Sequence, residues 1–198
     1  MHSLGPIKKN KCRVFYSLND SYEVVTAVGL GPHNAGFNES EEVEEDRENV
    51  RAAVSHGART LKGLGSIDEV DVDDCGDPIA AAEGGHLGLW IFDELKTDSQ
   101  KKTPLKLNLY ESSNSELNQK WEFGCHLANG QNTVRRLMEL PANILTPTKF
   151  ASIASELFEK LNVQVIIHDK QWAESMKMGS FLSVSKGSDE PPVFLECK

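Results

Sequence analysis

Residues 115–139 carry the longest amphipathic helical pattern in the chain. Apolar side chains recur there at helical spacing, and they are Leu117, Trp121, Leu127, Val134 and Leu137. The pattern stops before Pro141, which has no backbone N–H with which to continue a helix. A helix of this length spans roughly 38 Å, enough to link two compact bodies. We therefore predict a connecting helix at 115–140, between a domain at 1–114 and a second segment at 141–198.

The first segment contains four strand patterns. Two runs rich in β-branched and aromatic residues, 13–16 and 22–28, flank the turn-forming residues 19–21. Residues 69–73 and 105–110 alternate apolar and polar side chains, as half-buried strands do. We predict a hairpin from the first pair and two further strands from the second pair.

Two helices are expected between these strands. Apolar residues at helical spacing predict the first over residues 49–64. Asp77 as the cap and Pro78 as the first residue open the second, which we expect to run to about Lys96. Alanine and glycine dominate residues 79–89, and small residues let neighbouring backbones approach closely. We attribute these residues to packing and not to catalysis.

The second segment begins a further α/β unit. We predict a helix at 148–161, a strand at 163–168, a short helix at 171–177 and a strand from Val193 onward. These elements are too few to enclose a core, so we expect an incomplete start of a second domain. Because strands and helices alternate along both segments, the fold class is α/β.

The charge and hydropathy of the chain limit its partners. A net charge of −9, from 21 basic and 30 acidic residues, argues against nucleic acid, because phosphate binding draws on clustered Lys and Arg. Acidic residues concentrate at 39–48, where they complement the positive end of the following helix dipole. Residues 1–10 lack the apolar stretch of a signal peptide, and no run approaches the roughly 20 apolar residues of a membrane span. We expect a cytoplasmic protein with no membrane partner.

Few patterns indicate chemistry. The four cysteines are far apart and the six histidines show no His-x-x-x-His spacing, so we predict no local metal site. His86 lies on an apolar helix face, and we interpret it as a core histidine.

Three weaker motifs have competing interpretations. The carboxylates of residues 71–74 resemble magnesium ligands, but we favour a solvent-facing strand end. Residues 29–36 follow a strand as phosphate loops do, yet they lack a nucleotide fingerprint, so we favour a turn. Ser183 and Lys186 match Ser-x-x-Lys without its companion motifs, which we interpret as chance. Nucleotide binding by the first segment stays open as a third hypothesis.

Five segments of the chain form a specific set. They are ENVRAAV (48–54), DCGDP (74–78), AAAEG (80–84), GQNTVRRLMELPANILTPTKF (130–150) and MGSFLSVSKGSDEPPVFLE (178–196). Together they resemble the leucine aminopeptidase (cytosol aminopeptidase) family. The resemblance implies a macro-domain-like N-terminal mixed sheet with flanking helices, a long connecting helix and the start of an α/β catalytic domain. It also implies a further strand and helix ahead of Arg13, so we expect the N-terminal sheet to lack a strand and to expose unpaired backbone groups.

The resemblance also implies a reaction. Family members release N-terminal amino acids, often leucine, from peptides, and hold two divalent metal ions, zinc or manganese, with a lysine, aspartates and a glutamate. The family places these ligands on Val-Gly-Lys-Gly, Phe-Asp-Ser-Gly-Gly and Asn-Thr-Asp-Ala-Glu-Gly-Arg, and none of these strings occurs in the 198 residues. We therefore assign no catalytic, metal-binding or substrate-binding residue and no cofactor. We expect a chain truncated before the metal-binding motifs, and inactive by itself.

Five residues of the linker motif receive structural roles, and they are Asn132, Arg135, Pro141, Asn143 and Pro147. Arg135 is expected to face the negative dipole end of its own helix, and Pro141 to end that helix. Asn143 is expected to cap or turn the chain before Pro147.

Two functions follow from the resemblance. The leading hypothesis is the N-terminal part of a leucyl aminopeptidase, whose whole relative would be a hexameric cytosolic metalloenzyme. The alternative is a non-catalytic interaction or assembly protein that forms homo-oligomers or associates with full-length aminopeptidase. Peptide substrates are expected only if a catalytic domain completes the chain.

Overall fold

A computed structural model describes residues 5–18, 20–110 and 113–198. The predicted turn residue Asn19 and the histidine His2 lie outside these ranges. The chain divides into two compact units, Met1–Arg136 and Leu137–Lys198. Strands and helices alternate in both, which confirms the α/β class. The strands form four two-stranded sheets, three antiparallel and one parallel, in the described part of the chain.

The first unit opens with the predicted hairpin. Strand β1 (Cys12–Tyr16) pairs antiparallel with β2 (Val24–Val28), which confirms the two strand patterns there. A small hairpin follows, made of β3 (Phe37–Asn38) and β4 (Val43–Glu44). This second hairpin occupies the acidic stretch and leads directly into a helix.

Helix α1 (Glu45–Gly63) begins four residues earlier than the apolar pattern predicted. Its first turn contains Glu45, Asp46 and Glu48, whose negative charges stabilise the positive end of the helix dipole and so extend the helix forward. The apolar residues buried on its inner face are Val50, Ala53, Val54, Ala58 and Leu61.

Two parallel strands and a crossover helix complete the core of the first unit. Strand β5 (Glu69–Val72) pairs in parallel with β6 (Lys106–Leu109), and helix α2 (Pro78–Leu89) connects them, as a parallel pair requires. A short 3-10 helix at Asp98–Gln100 precedes β6. The strand side chains buried in the core are Val72, Leu107 and Leu109.

Helix α2 confirms its predicted start but not its predicted end. The Asp77 side chain accepts a hydrogen bond from the backbone N–H of Ala80 at 3.0 Å, as an N-terminal cap does. The helix ends at Leu89, so the prediction that it runs to Lys96 was wrong. Trp90 is already extended, with φ −61° and ψ 136°. The last four carbonyls of α2 accept hydrogen bonds from side chains of α1 and α3, in place of the backbone N–H groups that a longer helix would supply.

Small residues bring α2 against both neighbouring helices. A Cβ atom on Gly84 would overlap the backbone carbonyl of Arg51 on α1, and Gly88 faces α1 one turn later. Helix α3 (Ser115–Glu139) forms where a helix was predicted at 115–140, and a Cβ atom on its Gly124 would overlap the carbonyl of Ile79 on α2. These contacts require glycine, which explains the small residues by packing.

The second unit contains the last residues of α3, three helices and two strands. They are α4 (Pro147–Glu159), β7 (Val165–His168), α5 (Lys170–Ser175), α6 (Gly179–Ser185) and β8 (Phe194–Cys197). Strands β7 and β8 pair antiparallel. Helix α6 was not predicted, because serine has weak helix propensity. The hydroxyls of Ser183 and Ser185 donate to backbone carbonyls within this short helix.

Among the described residues, no helix combines the length and apolar character needed to cross a membrane.

Substituting Gly84 tests the packing of α2. Because the Arg51 carbonyl cannot move without shifting α1, Gly84→Ala is expected to lower the free energy of unfolding by about 1–3 kcal/mol. The control is Gly130→Ala in α3, where nothing beyond the adjacent turns of its own helix lies within 4 Å of the new Cβ, and alanine favours the helix by up to about 1 kcal/mol. Urea unfolding followed by circular dichroism measures both. Equal stability of the two variants would refute the close α1–α2 contact.

Candidate functional site

A buried carboxylate lies at the centre of the first unit. The Glu83 side chain on α2 accepts hydrogen bonds from Arg51 Nε on α1 and from Gln131 Nε2 on α3, both at 2.6 Å. Arg51 also pairs with Glu48. Burial opposes the positive charge of Arg51, yet hydrogen bonding and attraction from Glu83 and Glu48 together raise its pKa. Both carboxylate oxygens of Glu83 are therefore occupied, and the group joins three helices instead of serving as a free base.

The C-terminus of α2 forms a second polar centre. The carbonyls of residues 86–89, the last four of the helix, each accept one hydrogen bond from a side chain, at 2.8–3.4 Å. The donors are Asn132 and Arg135 on α3, and Arg59 and Lys62 on α1. Three of these four groups are cationic, and cations stabilise the negative end of a helix dipole. The four carbonyls that a helix leaves unpaired at its end are thus all satisfied.

The Arg135 side chain, from the C-terminal part of α3, contacts the end of α2. Its Nη1 donates to the carbonyl of Leu87 at 3.1 Å and to Asn132 Oδ1 at 3.3 Å. Its guanidinium carbon lies 5.8 Å from the centre of the Trp90 ring, within cation–π range. Sequence analysis could associate Arg135 with a helix end, but not with this one, because the two helices are far apart in the chain.

The three remaining linker residues lie in the second unit. The carbonyl of Pro141 accepts a hydrogen bond from the N–H of Ile144 at 2.8 Å, and Asn143 is an exposed residue of that turn. Pro147 is the first residue of α4, and the Thr146 side chain caps this helix. These positions set the path from α3 to α4.

A thiol and an imidazole meet between α2 and α3. Cys125 Sγ lies 3.3 Å from His86 Nε2. Burial, with a contribution from Glu122, raises the pKa of the Cys125 thiol, and burial lowers the pKa of His86. Both shifts favour the neutral forms, whereas a nucleophilic cysteine needs a thiolate. Sequence analysis missed this pair because its members lie 39 residues apart.

The described residues do not fit a metal centre. Residues 5–18, 20–110 and 113–198 contain no group of three or more His, Cys, Asp or Glu side chains placed to hold a metal ion. Asp71 accepts hydrogen bonds from Tyr22 and Asn108, at 2.6 and 3.1 Å. Asp73 and Asp74 accept bonds from backbone N–H groups two residues further on, as turn residues do. The metal ions that the resemblance implies are therefore not assigned to these carboxylates.

Ser183 and the glycines of residues 29–36 also make contacts with backbone atoms. Ser183 donates its hydroxyl to the carbonyl of Ser180 at 2.8 Å. A Cβ atom on Gly29 would overlap the carbonyls of Ile7 and Lys8, so this glycine permits close contact with the preceding chain. Gly31 has a φ of 93°, which favours glycine in a turn.

Aromatic rings join the strands and α5 in the second unit. His168 and Trp172 stack with ring centres 3.8 Å apart, and Trp172 stacks on Phe194 at 5.4 Å. His168 Nε2 lies 3.0 Å from Glu196 Oε2. Hydrogen bonds from His168 and then Lys198 lower the pKa of Glu196. This cluster pairs β7 with β8 and presents no free nucleophile.

The sequence matches two domains of one described family. Residues 8–99 match the cytosol aminopeptidase family, N-terminal domain, and residues 132–198 match the cytosol aminopeptidase family, catalytic domain.

Curated relatives share this similarity along nearly the whole chain. Cytosol aminopeptidase from Bos taurus is 48% identical over 193 residues, which are 96% of this chain and 36% of the relative. The Homo sapiens protein is 47% identical over 193 residues, which are also 96% of this chain and 36% of the relative. The Dictyostelium discoideum protein is 36% identical, covering 92% of this chain and 36% of the relative. The chain thus spans little more than a third of the length of these relatives.

Solved structures share the fold. The bottromycin maturation enzyme BotP superposes with a TM-score of 0.75 at 23% identity, covering 96% of this chain and 40% of that one. A mutant of tomato leucine aminopeptidase gives a TM-score of 0.75 at 22% identity, with 96% and 38% covered.

Two adjacent arginines test the cap at the end of α2. Arg135→Met keeps the aliphatic stem but removes the donors to a part-buried carbonyl, so we expect a loss of about 1–3 kcal/mol in the free energy of unfolding. Arg136→Met is the matched control, because Arg136 forms a half-exposed ion pair with Glu94 worth at most about 1 kcal/mol. Thermal and urea unfolding compare them. A larger loss for the control would contradict the assigned cap.

Proposed function

Because this chain belongs to the cytosol aminopeptidase family, we propose that it forms the N-terminal part of a leucyl aminopeptidase-like metallopeptidase. In this proposal residues 1–114 are the N-terminal α/β domain, 115–140 the connecting helix and 141–198 the start of the catalytic domain. The observation that carries it is the order of the two family matches. The N-terminal-domain match ends at residue 99, ahead of α3, and the catalytic-domain match begins at residue 132, within the last part of α3. The chain aligns with 36% of the length of the curated relatives, which supports the proposal that it is a part of such an enzyme.

The proposed reaction of the whole enzyme is release of N-terminal amino acids, often leucine, from peptides. The names of the curated relatives support an aminopeptidase. Two divalent metal ions, zinc or manganese, would supply the activated water and stabilise the reacting oxygens. The described residues contain no group of three or more His, Cys, Asp or Glu placed to hold such ions. The part that we propose for this chain is the scaffold built on α2 and α3.

We further propose that the 198 residues by themselves do not hydrolyse peptides. Their Glu83 carboxylate is held by two donors, their Cys125 thiol favours the protonated form, and their sequence lacks the family's metal-binding strings. Ser183 donates its hydroxyl to a backbone carbonyl, and Cys125 lies beside the His86 ring without forming a thiolate-favouring site.

A second function is favoured by one surface. Helix α3 exposes Phe123, Leu127 and Val134 on one face, with exposed fractions of 54%, 37% and 54%. An apolar stripe of this kind is typical of an interaction surface. The second candidate is therefore an assembly protein that forms homo-oligomers, or joins a hexamer of full-length aminopeptidase. The names of the relatives support a cytosolic location for either function.

A chromogenic assay tests the absence of catalysis. The purified chain is incubated with leucine p-nitroanilide and manganese or zinc, and we expect release of p-nitroaniline at the rate of a metal-free blank. An intact cytosol aminopeptidase under the same conditions is the positive control. Metal-dependent turnover that persists after repurification would contradict the proposal.

Co-purification separates the two candidate functions. The chain is mixed with an intact aminopeptidase and passed over a sizing column, alongside the variant Phe123→Ser/Val134→Ser. If the unmodified chain co-elutes with the aminopeptidase and the variant does not, the result favours the assembly protein. The control Val184→Ser removes an apolar side chain that is 84% exposed in the second unit, and it should leave co-elution unchanged. Separate elution of all proteins favours a part of an enzyme.

A further inference from the structure

Three cationic side chains meet at the C-terminus of helix α2. Arg59, Lys62 and Arg135 each donate a hydrogen bond to a carbonyl there, at 2.8, 3.4 and 3.1 Å. The accepting carbonyls belong to residues 87–89, which follow one another within a single helical turn. Successive residues of an α-helix are turned by about 100° and raised by about 1.5 Å, so the three donor nitrogens lie within roughly 12 Å of one another.

The positive charge at this helix end exceeds the negative charge around it. The end of the helix dipole supplies only about half a negative charge. Within the described ranges, no carboxylate oxygen lies within 4.0 Å of the charged nitrogens of Arg59, Lys62 or Arg135. The carboxylate of Asp93 attracts Lys62, but the ammonium group of Lys102 repels it. A local excess of roughly two positive charges remains, in a chain whose net charge is −9.

The Lys62 ammonium group is affected by this excess. Burial, and then the charge of Lys102, lower the pKa of Lys62, while Asp93 acts in the opposite direction. Its Nζ is half-buried and has a single long hydrogen bond, to the carbonyl of Leu89. An anion that binds beside Lys62 would stabilise the charged form of this lysine.

The two guanidinium groups keep N–H donors available for a ligand. Arg59 donates only through Nε, so both of its Nη groups are left. Arg135 donates only through Nη1, so its Nε and Nη2 are left. Arg59 is an exposed residue, and the remaining donors of Arg135 are not among the buried atoms of the described chain. Solvent, and therefore a dissolved anion, reaches these donors.

The spacing of these donors fits a phosphate group. Because they bind neighbouring carbonyls, Arg59 Nε and Arg135 Nη1 are at most roughly 9 Å apart. A phosphate whose oxygens each accept a bond of about 2.8 Å spans donors up to roughly 8 Å apart, and the free Nη groups extend beyond the atoms that contact the helix. Planar guanidinium groups match phosphate oxygens in geometry, and a dianion matches the local excess of charge.

The charge of the whole chain favours a small ligand. A long polyanion would extend beyond the three cations and meet the field of an acidic protein. A single phosphate group stays within about one Debye length, roughly 8 Å, of the cations that bind it.

We propose that Arg59, Lys62 and Arg135 bind the phosphate group of a small anionic ligand at the C-terminus of α2. The ligand would connect side chains of α1 and α3 across the end of α2, so its binding would stabilise the first unit. This site takes no part in the proposed peptidase reaction, so the proposal stands or falls independently of it.

Nuclear magnetic resonance of the full chain tests the proposal with methyl phosphate. A phosphate monoester is largely a dianion at pH 7.5, because its second pKa is about 6. At constant ionic strength, the side-chain Nε–H signals of Arg59 and Arg135 are expected to shift and to saturate as methyl phosphate is added. Acetate carries a single charge and should bind at least about threefold more weakly. A parallel titration with inorganic phosphate distinguishes the free ion from an ester as the preferred form.

Variants test the assigned cations. In Arg59→Gln the Nε2 group takes the place of arginine Nε, so the bond to Gly88 can persist while the charge and both Nη groups are lost. This change should weaken methyl phosphate by at least about tenfold. Asp93→Asn removes the opposing charge and keeps an acceptor for the backbone N–H of Lys102, and it should tighten binding by roughly twofold to fivefold.

The control is Lys186→Gln, which makes the same charge change at an exposed residue of the second unit and should leave binding unchanged. Circular dichroism verifies that each variant folds.

Three outcomes would overturn the proposal. The first is the absence of a saturable shift, and the second is equal binding of methyl phosphate by Arg59→Gln and by the unmodified chain. The third is binding of a single-stranded DNA octamer at least about tenfold tighter than methyl phosphate, which would assign these cations to a nucleic-acid backbone.

Discussion

The burial of helix α2 is the constraint on which the first unit depends. This helix reaches both α1 and α3 only because glycine occupies Gly84, Gly88 and Gly124 at the contacts. Its polar groups are satisfied at the same helices: Glu83 by Arg51 and Gln131, and the last four carbonyls by four side-chain donors. Losing one partner of a buried pair costs about 3–5 kcal/mol, a large share of the stability of a domain. Close packing and polar satisfaction therefore reinforce each other here.

Sequence reasoning succeeded where the determinants are local. The span of α3 follows from its own apolar period and from Pro141, and the β1–β2 hairpin follows from two strand patterns around a turn. It failed at the end of α2, which is fixed by donors from elsewhere in the chain, including Lys62 and Arg135. The Cys125–His86 pair escaped detection for the same reason.

The polar side chains at the centre of the first unit join its helices to one another. Among its described buried groups, Glu83 is paired, and burial favours the neutral forms of His86 and Cys125. Residues 8–99 of this unit match the N-terminal domain of the cytosol aminopeptidase family.

Native-state hydrogen exchange of α2 tests the central claim most directly. If α2 holds the first unit together, its amides open only when the whole unit unfolds. Residues 82–89 should then exchange more slowly than any other described segment of that unit except the contacting face of α1, with a free energy equal to that of global unfolding of the unit. Exchange of α2 as fast as that of the small β3–β4 hairpin, while β1 and β2 stay protected, would contradict the account.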